Sequence, residues 1–163
     1  MELEHEIGLS SFRNDWQKAS ISILYTYGFI SNGHEQFFKK HGLTSQQYNV
    51  LRILHDQYPT PVSTSFLREK MLDKMSDASR LVNRLNAKGL VKVAQNASDK
   101  RLVNITISQE GKKLFDSIDG DLPNLDALMQ GLTQSEAQQL TTLLEKVRDS
   151  IKSADERIAP AGE

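Results

Sequence analysis

The sequence predicts a mainly α-helical chain with one small β-hairpin. Apolar residues recur at three- and four-residue steps in several stretches, most of them opened by a hydroxyl side chain suited to a helix cap. Only two stretches, 90–94 and 102–107, are rich in β-formers, and a polar run separates them. Directly before that pair the order reads helix, short turn, helix. With 163 residues, 38% hydrophobic and 25% charged, the chain has the size of one ordinary domain and can bury a core.

The first helix is expected over about 12–31, where Trp16, Ala19, Ile23, Tyr27 and Ile30 share a face. Leu24 and Phe29 add a second apolar side, and a helix apolar on more than one side packs on more than its own core, which points to a partner subunit. Gly33 and Gly42 bracket a short piece carrying Phe37, Phe38, Lys39 and Lys40, with Gly42 as terminator. Thr44-Ser45-Gln46-Gln47 is a capping box: Thr44 accepts from the Gln47 amide and Gln47 reaches back. Its helix carries Tyr48, Leu51 and Leu54 and ends before Tyr58-Pro59-Thr60-Pro61, because each proline removes a donor and restricts the residue before it. Ser63, Thr64 or Ser65 caps a short helix through Phe66, Leu67 and Met71, with a turn near 72–74. The next helix is expected over 75–88, stopping at Gly89. After the hairpin, Ser108 caps a helix that Gly120 and Pro123 should bend or break. A second capping box, Thr133 to Glu136, opens a last helix with Leu140, Leu143, Leu144, Val147 and Ile151 at helical spacing. No internal repeat or low-complexity segment is present.

Helix, turn, helix and hairpin in this order make a winged helix-turn-helix. On a wheel of about 100° per residue, Ala78, Leu81, Val82 and Leu85 of the 75–88 helix fall on one side. Ser76, Arg80, Asn83 and Arg84 fall opposite, with Ser79 on the flank. Arginine suits guanine edges, asparagine adenine edges, and serine either bases or phosphates. A plain solvated face would mix Glu with Lys, yet this helix holds no Glu and Asp77 is its one acid. The hairpin tip, Asp99-Lys100-Arg101, is basic and suited to phosphates or the narrow minor groove. Asp99 has a use there if it pairs with Arg84 or Arg101 and holds that guanidinium in one orientation.

Charge is segregated in the same way. Residues 62–113 hold eleven Lys/Arg against five Asp/Glu, a net +6, while the flanks hold nine against sixteen, a net −7. The near-neutral total of −1 thus hides a basic centre that fits a polyanion-binding face. The chain has no cysteine, which excludes disulfides, thiolate zinc sites and thiol redox sensing. His5, His34, His41 and His55 form no metal-ligand pattern, and no metal or cofactor is expected. No glycine-rich phosphate loop and no Ser/His/Asp arrangement supports an enzyme. An acidic N-terminus and the absence of a long apolar run predict a soluble, cytoplasmic protein without a membrane span.

The run SDASRLVNRLNAKGLV at 76–91 resembles the recognition helix of MarR-type bacterial regulators. Asp99-Lys100-Arg101, followed at matching distance by Ile107-Ser108-Gln109-Glu110-Gly111, resembles their wing signature. The run LTSQQYNVL at 43–51 resembles the helix that precedes their DNA-binding motif. The likeness extends from about Trp16 to Ile151. Two departures stand out. Asp77 sits where some relatives carry a hydroxyl, and Leu72-Asp73-Lys74-Met75 differs from the commoner Leu-x-Leu-Ser turn.

The resemblance implies N- and C-terminal dimerisation helices around a DNA-binding lobe. Residues 1–43 would serve dimerisation and an effector region, 44–111 would form the winged lobe, 112–153 would dimerise, and 154–163 would be a disordered tail. It implies a homodimeric repressor on double-stranded DNA, reading a pseudo-palindrome with half-sites about one helical turn, roughly 34–36 Å, apart. The expected DNA contacts are Lys74, Ser76, Ser79, Arg80, Asn83, Arg84, Asp99, Lys100 and Arg101. A small aromatic or anionic effector would release the DNA, with Tyr27, Phe38, His41 and Tyr48 lining its site. The alternative is a winged helix used for protein contact with no DNA target. The basic tip argues against it.

Overall fold

The computed structural model describes residues 2–158. The helices are α1 (Leu3–Ile7), α2 (Asp15–Lys39), α3 (Ser45–Gln57), α4 (Thr64–Lys70), α5 (Ala78–Ala87), α6 (Gln109–Asp119), α7 (Leu122–Asp126) and α8 (Gln134–Ile158), with a 3-10 turn at Ala127–Met129. Strands β1 (Val91–Gln95) and β2 (Val103–Ile107) pair antiparallel, with Val93 opposite Ile105. Val62 adds an antiparallel bridge on the other side of β2, exchanging both backbone hydrogen bonds with Ile105. The chain divides into two compact units, Met1–Leu125 and Asp126–Glu163.

Within the first unit α3 is central. It packs against α5, α6 and β2, burying Val50, Leu51, Ile53 and Leu54. Leu67 and Met71 come from the α4 segment, Leu81, Val82 and Leu85 from α5, Ile105 and Ile107 from β2. Full burial of each such side chain is worth roughly 1.5–3 kcal/mol before the chain-ordering cost. The core also draws on Phe37 and Phe38 of α2 and on Phe115 and Ile118 of α6, on either side of the expected 44–111 lobe.

The caps fall where the residues place them. Thr44 and Gln47 form the full reciprocal box, Ser63 caps α4, and Ser108 caps α6. Thr133 and Glu136 close the second box. At the end of α5, Gly89 takes φ +73° and the Leu90 amide reaches back to the Leu85 carbonyl, a Schellman ending.

Three expectations are corrected. The first helix neither stops at residue 31 nor divides at Gly33; α2 is continuous to Lys39. A mid-helix glycine costs only about 1 kcal/mol relative to alanine, and burial of Phe37 and Phe38 outweighs it. The recognition helix begins at Ala78, not at residue 75, because Asp73 and Asp77 hold the preceding residues in a turn. The last helix runs to Ile158, past the expected start of the tail at 154; the expectation for 159–163 lies outside the described residues.

Candidate nucleic-acid interface

The approach to α5 is a chain of short-range bonds. The Asp73 carboxylate accepts from the Met75 amide at 2.9 Å, and its carbonyl accepts from the Ser76 amide at 3.2 Å. Asp77 is extended and accepts from the Arg80 amide at 3.1 Å, capping the helix and favouring its dipole. Asp77 is thereby occupied by the helix itself. The helix then buries Ala78, Leu81, Val82 and Leu85 and exposes Ser79, Arg80, Asn83 and Arg84. Arg80, Asn83 and Arg84 are exposed as their helical spacing predicts, and Ser79, expected on the flank, is exposed beside them.

Lys74 and Ser76 do not lie on that face. Both precede the helix: the Lys74 ammonium donates to the Glu69 carbonyl, and the Ser76 hydroxyl is buried without a hydrogen-bond partner. The earlier helix start placed Ser76 on the exposed side of the wheel; the turn rotates it inward.

The wing tip is built by Asn96, which sequence reasoning passed over. Its Oδ1 accepts from the amides of Ser98 (2.9 Å) and Asp99 (3.0 Å), and its Nδ2 donates to Asn104 Oδ1 at 3.0 Å. Asparagine in a polar turn is the signal that could have found it. The loop so folded brings Asp99 to Arg101. The guanidinium donates Nε to Oδ1 and Nη2 to Oδ2, each at 3.2 Å, so of the two partners open to Asp99 it takes Arg101, not Arg84. The Arg101 side chain and then its backbone amide hold the Asp99 carboxyl below the ordinary carboxylate range. Arg101 stays 90% exposed in its side chain, so its outer edge is presented to solvent. Lys100 is exposed beside it.

Two further ties, also missed, fix α5 to its surroundings. Lys88 Nζ at its end donates to the Gly42 carbonyl at 2.6 Å. At its start, Gln46 Nε2 donates to Asp73 Oδ2 at 2.9 Å. Neither pair is close in sequence, so no spacing signals it.

Behind the turn lies a cavity of about 530 Å³. Tyr27, Phe38 and Tyr48 line it, with Glu35, Leu72 and Asp73. Phe38 and Tyr48 stack at 4.3 Å, and burial, helped by Asp119, pushes the Tyr48 phenol up. His41, expected in this wall, is not part of it. Its Nε2 is 3.0 Å from Asp121 Oδ2, and Asp121 is held below its ordinary value by Asn124 and then His41. No group of His, Asp and Glu suited to a metal occurs among the described residues.

A helix with a guanidinium- and amide-bearing face, followed by a ribbon with an anchored arginine at its tip, defines a winged helix-turn-helix DNA-binding protein. Residues 41–102 match the MarR family model. The chain is 24% identical over 128 residues to the HTH-type transcriptional repressor IacR of Pseudomonas putida, covering 78% of this chain and 75% of that protein. Its fold is that of a mutant MarR from E. coli complexed with operator DNA, with TM-score 0.74, 21% identity, and 85% and 99% of the two chains covered. It is also that of Bordetella bronchiseptica BpsR, studied for regulation of DNA binding by 6-hydroxynicotinic acid, with TM-score 0.72, 21% identity, and 80% and 98% covered. The 41–102 segment thus matches the MarR family, and the relatives found are HTH-type transcriptional regulators. No helix among the described residues is long and apolar enough to cross a membrane.

Proposed function

We propose that the chain is a homodimeric repressor acting in the cytoplasm on a pseudo-palindromic operator and released by a small ligand. The observation that carries this reading is the joint presentation of Ser79, Arg80, Asn83 and Arg84 on one exposed face and of Arg101 on the wing. The helix would lie in the major groove and read base edges, and Arg101 would enter the flanking minor groove. Asp99, Lys100 and Lys74 would act on orientation and phosphates. The relative named a repressor supports the sign of the effect.

Apolar exposure supports the dimer. Trp16 is 84%, Leu24 68% and Phe29 64% exposed on α2; Leu143 and Ile151 of α8 are also exposed. Large apolar side chains exposed together on a helix mark an interaction surface. Two copies would place two recognition helices one turn of DNA apart. The cavity supports ligand control, because its wall includes Leu72 and Asp73 of the turn that starts the recognition helix.

Selection of bound DNA from a random pool, with the mass of the protein in solution measured alongside, tests the reading. The expected product is an inverted repeat with half-site centres about 10–10.5 base pairs apart, bound by a dimer. Enrichment of no sequence, or a monomer bound to a single half-site, would overturn it.

A further inference from the structure

The cavity has a definite charge character. Among the described residues that line it, two are carboxylates, Glu35 and Asp73, and none is Lys or Arg. The N-terminus of α3 also faces it through Thr44, Ser45 and Gln46. A helix N-terminus ordinarily attracts an anion. Here that place is filled by the protein: Glu35 Oε2 accepts from the Ser45 amide at 3.1 Å and from the Ser45 hydroxyl at 2.7 Å. The Gln47 amide is taken by Thr44 Oγ1, and the Thr44 amide by Gln47 Oε1. Of the backbone donors here, the Thr44, Ser45 and Gln47 amides are therefore bonded within the protein, and the local charge is negative.

A ligand carboxylate entering here would meet two fixed carboxylates and give up its water for no positive partner. An uncharged ring meets stacked Phe38 and Tyr48 and the apolar Ile30 and Leu72 instead. Glu35 uses Oε2 for both Ser45 bonds, so Oε1 can accept from a ligand O–H or N–H, a charge-assisted bond stronger than a neutral one. We propose that this cavity selects uncharged aromatic molecules bearing an O–H or N–H donor and rejects aromatic carboxylates. The inference rests on reading the cavity as the effector site, and it removes the anionic half of the aromatic-or-anionic expectation.

Pairs of closely similar shape, one anionic and one neutral with an added N–H donor, test it: 6-hydroxynicotinic acid against 6-hydroxynicotinamide, and salicylate against salicylamide. Each is titrated calorimetrically into the full chain, with operator release followed in the same preparation. The amides bind about tenfold or more tighter than the acids. Glu35→Gln, which keeps an acceptor for Ser45, narrows that gap several-fold. His34→Gln is carried in parallel, since His34 is the one described lining side chain able to bear positive charge. Acids binding as tightly as amides, a gap unmoved by Glu35→Gln, or acid binding that depends on His34 overturns the charge rule while leaving the effector site standing. If none of the four compounds binds and the operator is held throughout, both the charge rule and the effector reading fall, and DNA binding is judged on the operator data alone.

Discussion

Asp99 and Arg101 meet at two points on the wing tip, Nε to Oδ1 and Nη2 to Oδ2, and the Arg101 amide adds a third bond to Oδ1 at 3.0 Å. The arginine is thus aimed while its charge stays available. Arg101→Ala should weaken binding to every DNA sequence and reduce the salt slope by about one phosphate equivalent. Asp99→Ala should weaken operator binding with the salt slope kept, because the cation is still present but no longer oriented. Fluorescence anisotropy across a salt series separates the two; a flattened slope in Asp99→Ala would contradict the aiming role. The depressed Asp99 carboxyl also sets a pH rule. Its pairing is complete above the ordinary carboxylate range and is lost only as pH falls through the lowered value. The wing contribution should therefore be flat from pH 8 to 5, roughly the range above ordinary carboxylate values.

The exposed arginines of α5 and Ser76 just before it, whose hydroxyl is buried, should behave oppositely. Arg80→Ala is expected to cost about 1–3 kcal/mol on the selected operator and little on random DNA, if Arg80 reads a base. An equal loss on both would make it a phosphate contact. Ser76→Ala removes a buried hydroxyl that has no partner. It should leave operator affinity unchanged and alter stability by no more than about 1 kcal/mol, in the stabilising direction. Competition titrations and urea melts check the two substitutions.

Much of this was legible because it is local. Thr44 with Gln47, Ser108 with Gly111, and Thr133 with Glu136 are three residues apart, and the chemistry of a cap depends on that spacing alone. The exposed face of α5 followed from helical periodicity. The start of α5 was not legible, since Asp73 and Asp77 can each end a turn or begin a helix. Asp73 is fixed by Gln46, 27 residues earlier, and that tie decides the matter. His41 was likewise expected beside Tyr27, Phe38 and Tyr48 in the effector wall. Its partner Asp121 is 80 residues away and draws it out of the cavity wall. The continuity of α2 through Gly33 depended on burial of Phe37 and Phe38, which composition near a glycine does not reveal.

The junction of wing and α6 leaves no room at Gly111. A Cβ there would collide with the Leu90 carbonyl oxygen and come within 2.8 Å of Ile107 Cγ1. The close approach exists because Ser108 is bonded three ways: its amide to the Leu90 carbonyl, its hydroxyl to the Gly89 carbonyl at 2.7 Å, and the Gly111 amide to its hydroxyl at 2.9 Å. Gly111→Ala should destabilise the fold by about 1–3 kcal/mol or more, as overpacking does when backbone must move. Gly120→Ala is the control, since its nearest neighbour would be Ser117 O at 3.7 Å and its φ of −64° is ordinary. Urea midpoints should fall for the first and hold for the second.

Gln46 and Asp73 join the cavity wall to the recognition helix. Gln46 Nε2 donates to Asp73 Oδ2, Asp73 Oδ1 accepts from the Met75 amide, and two residues later Asp77 caps α5. Both Gln46 and Asp73 line the cavity, so an occupant that competes for either changes what holds the helix start. The link can be cut without a ligand. Asp73→Ala should lower operator affinity about fivefold, the loss expected for about 1 kcal/mol of orienting hydrogen bonds. Its salt slope should not move, since no phosphate contact is removed. Gln46→Ala should do less, because Asp73 keeps its bond to Met75. The double substitution should cost less than the sum of the two, the sign of residues acting through one contact. Operator titrations of the three variants, with amide exchange followed at Met75 and Ser76, provide the measurement. Additive losses, or unchanged exchange at Met75 in Asp73→Ala, would show that the helix start is held by something other than this pair.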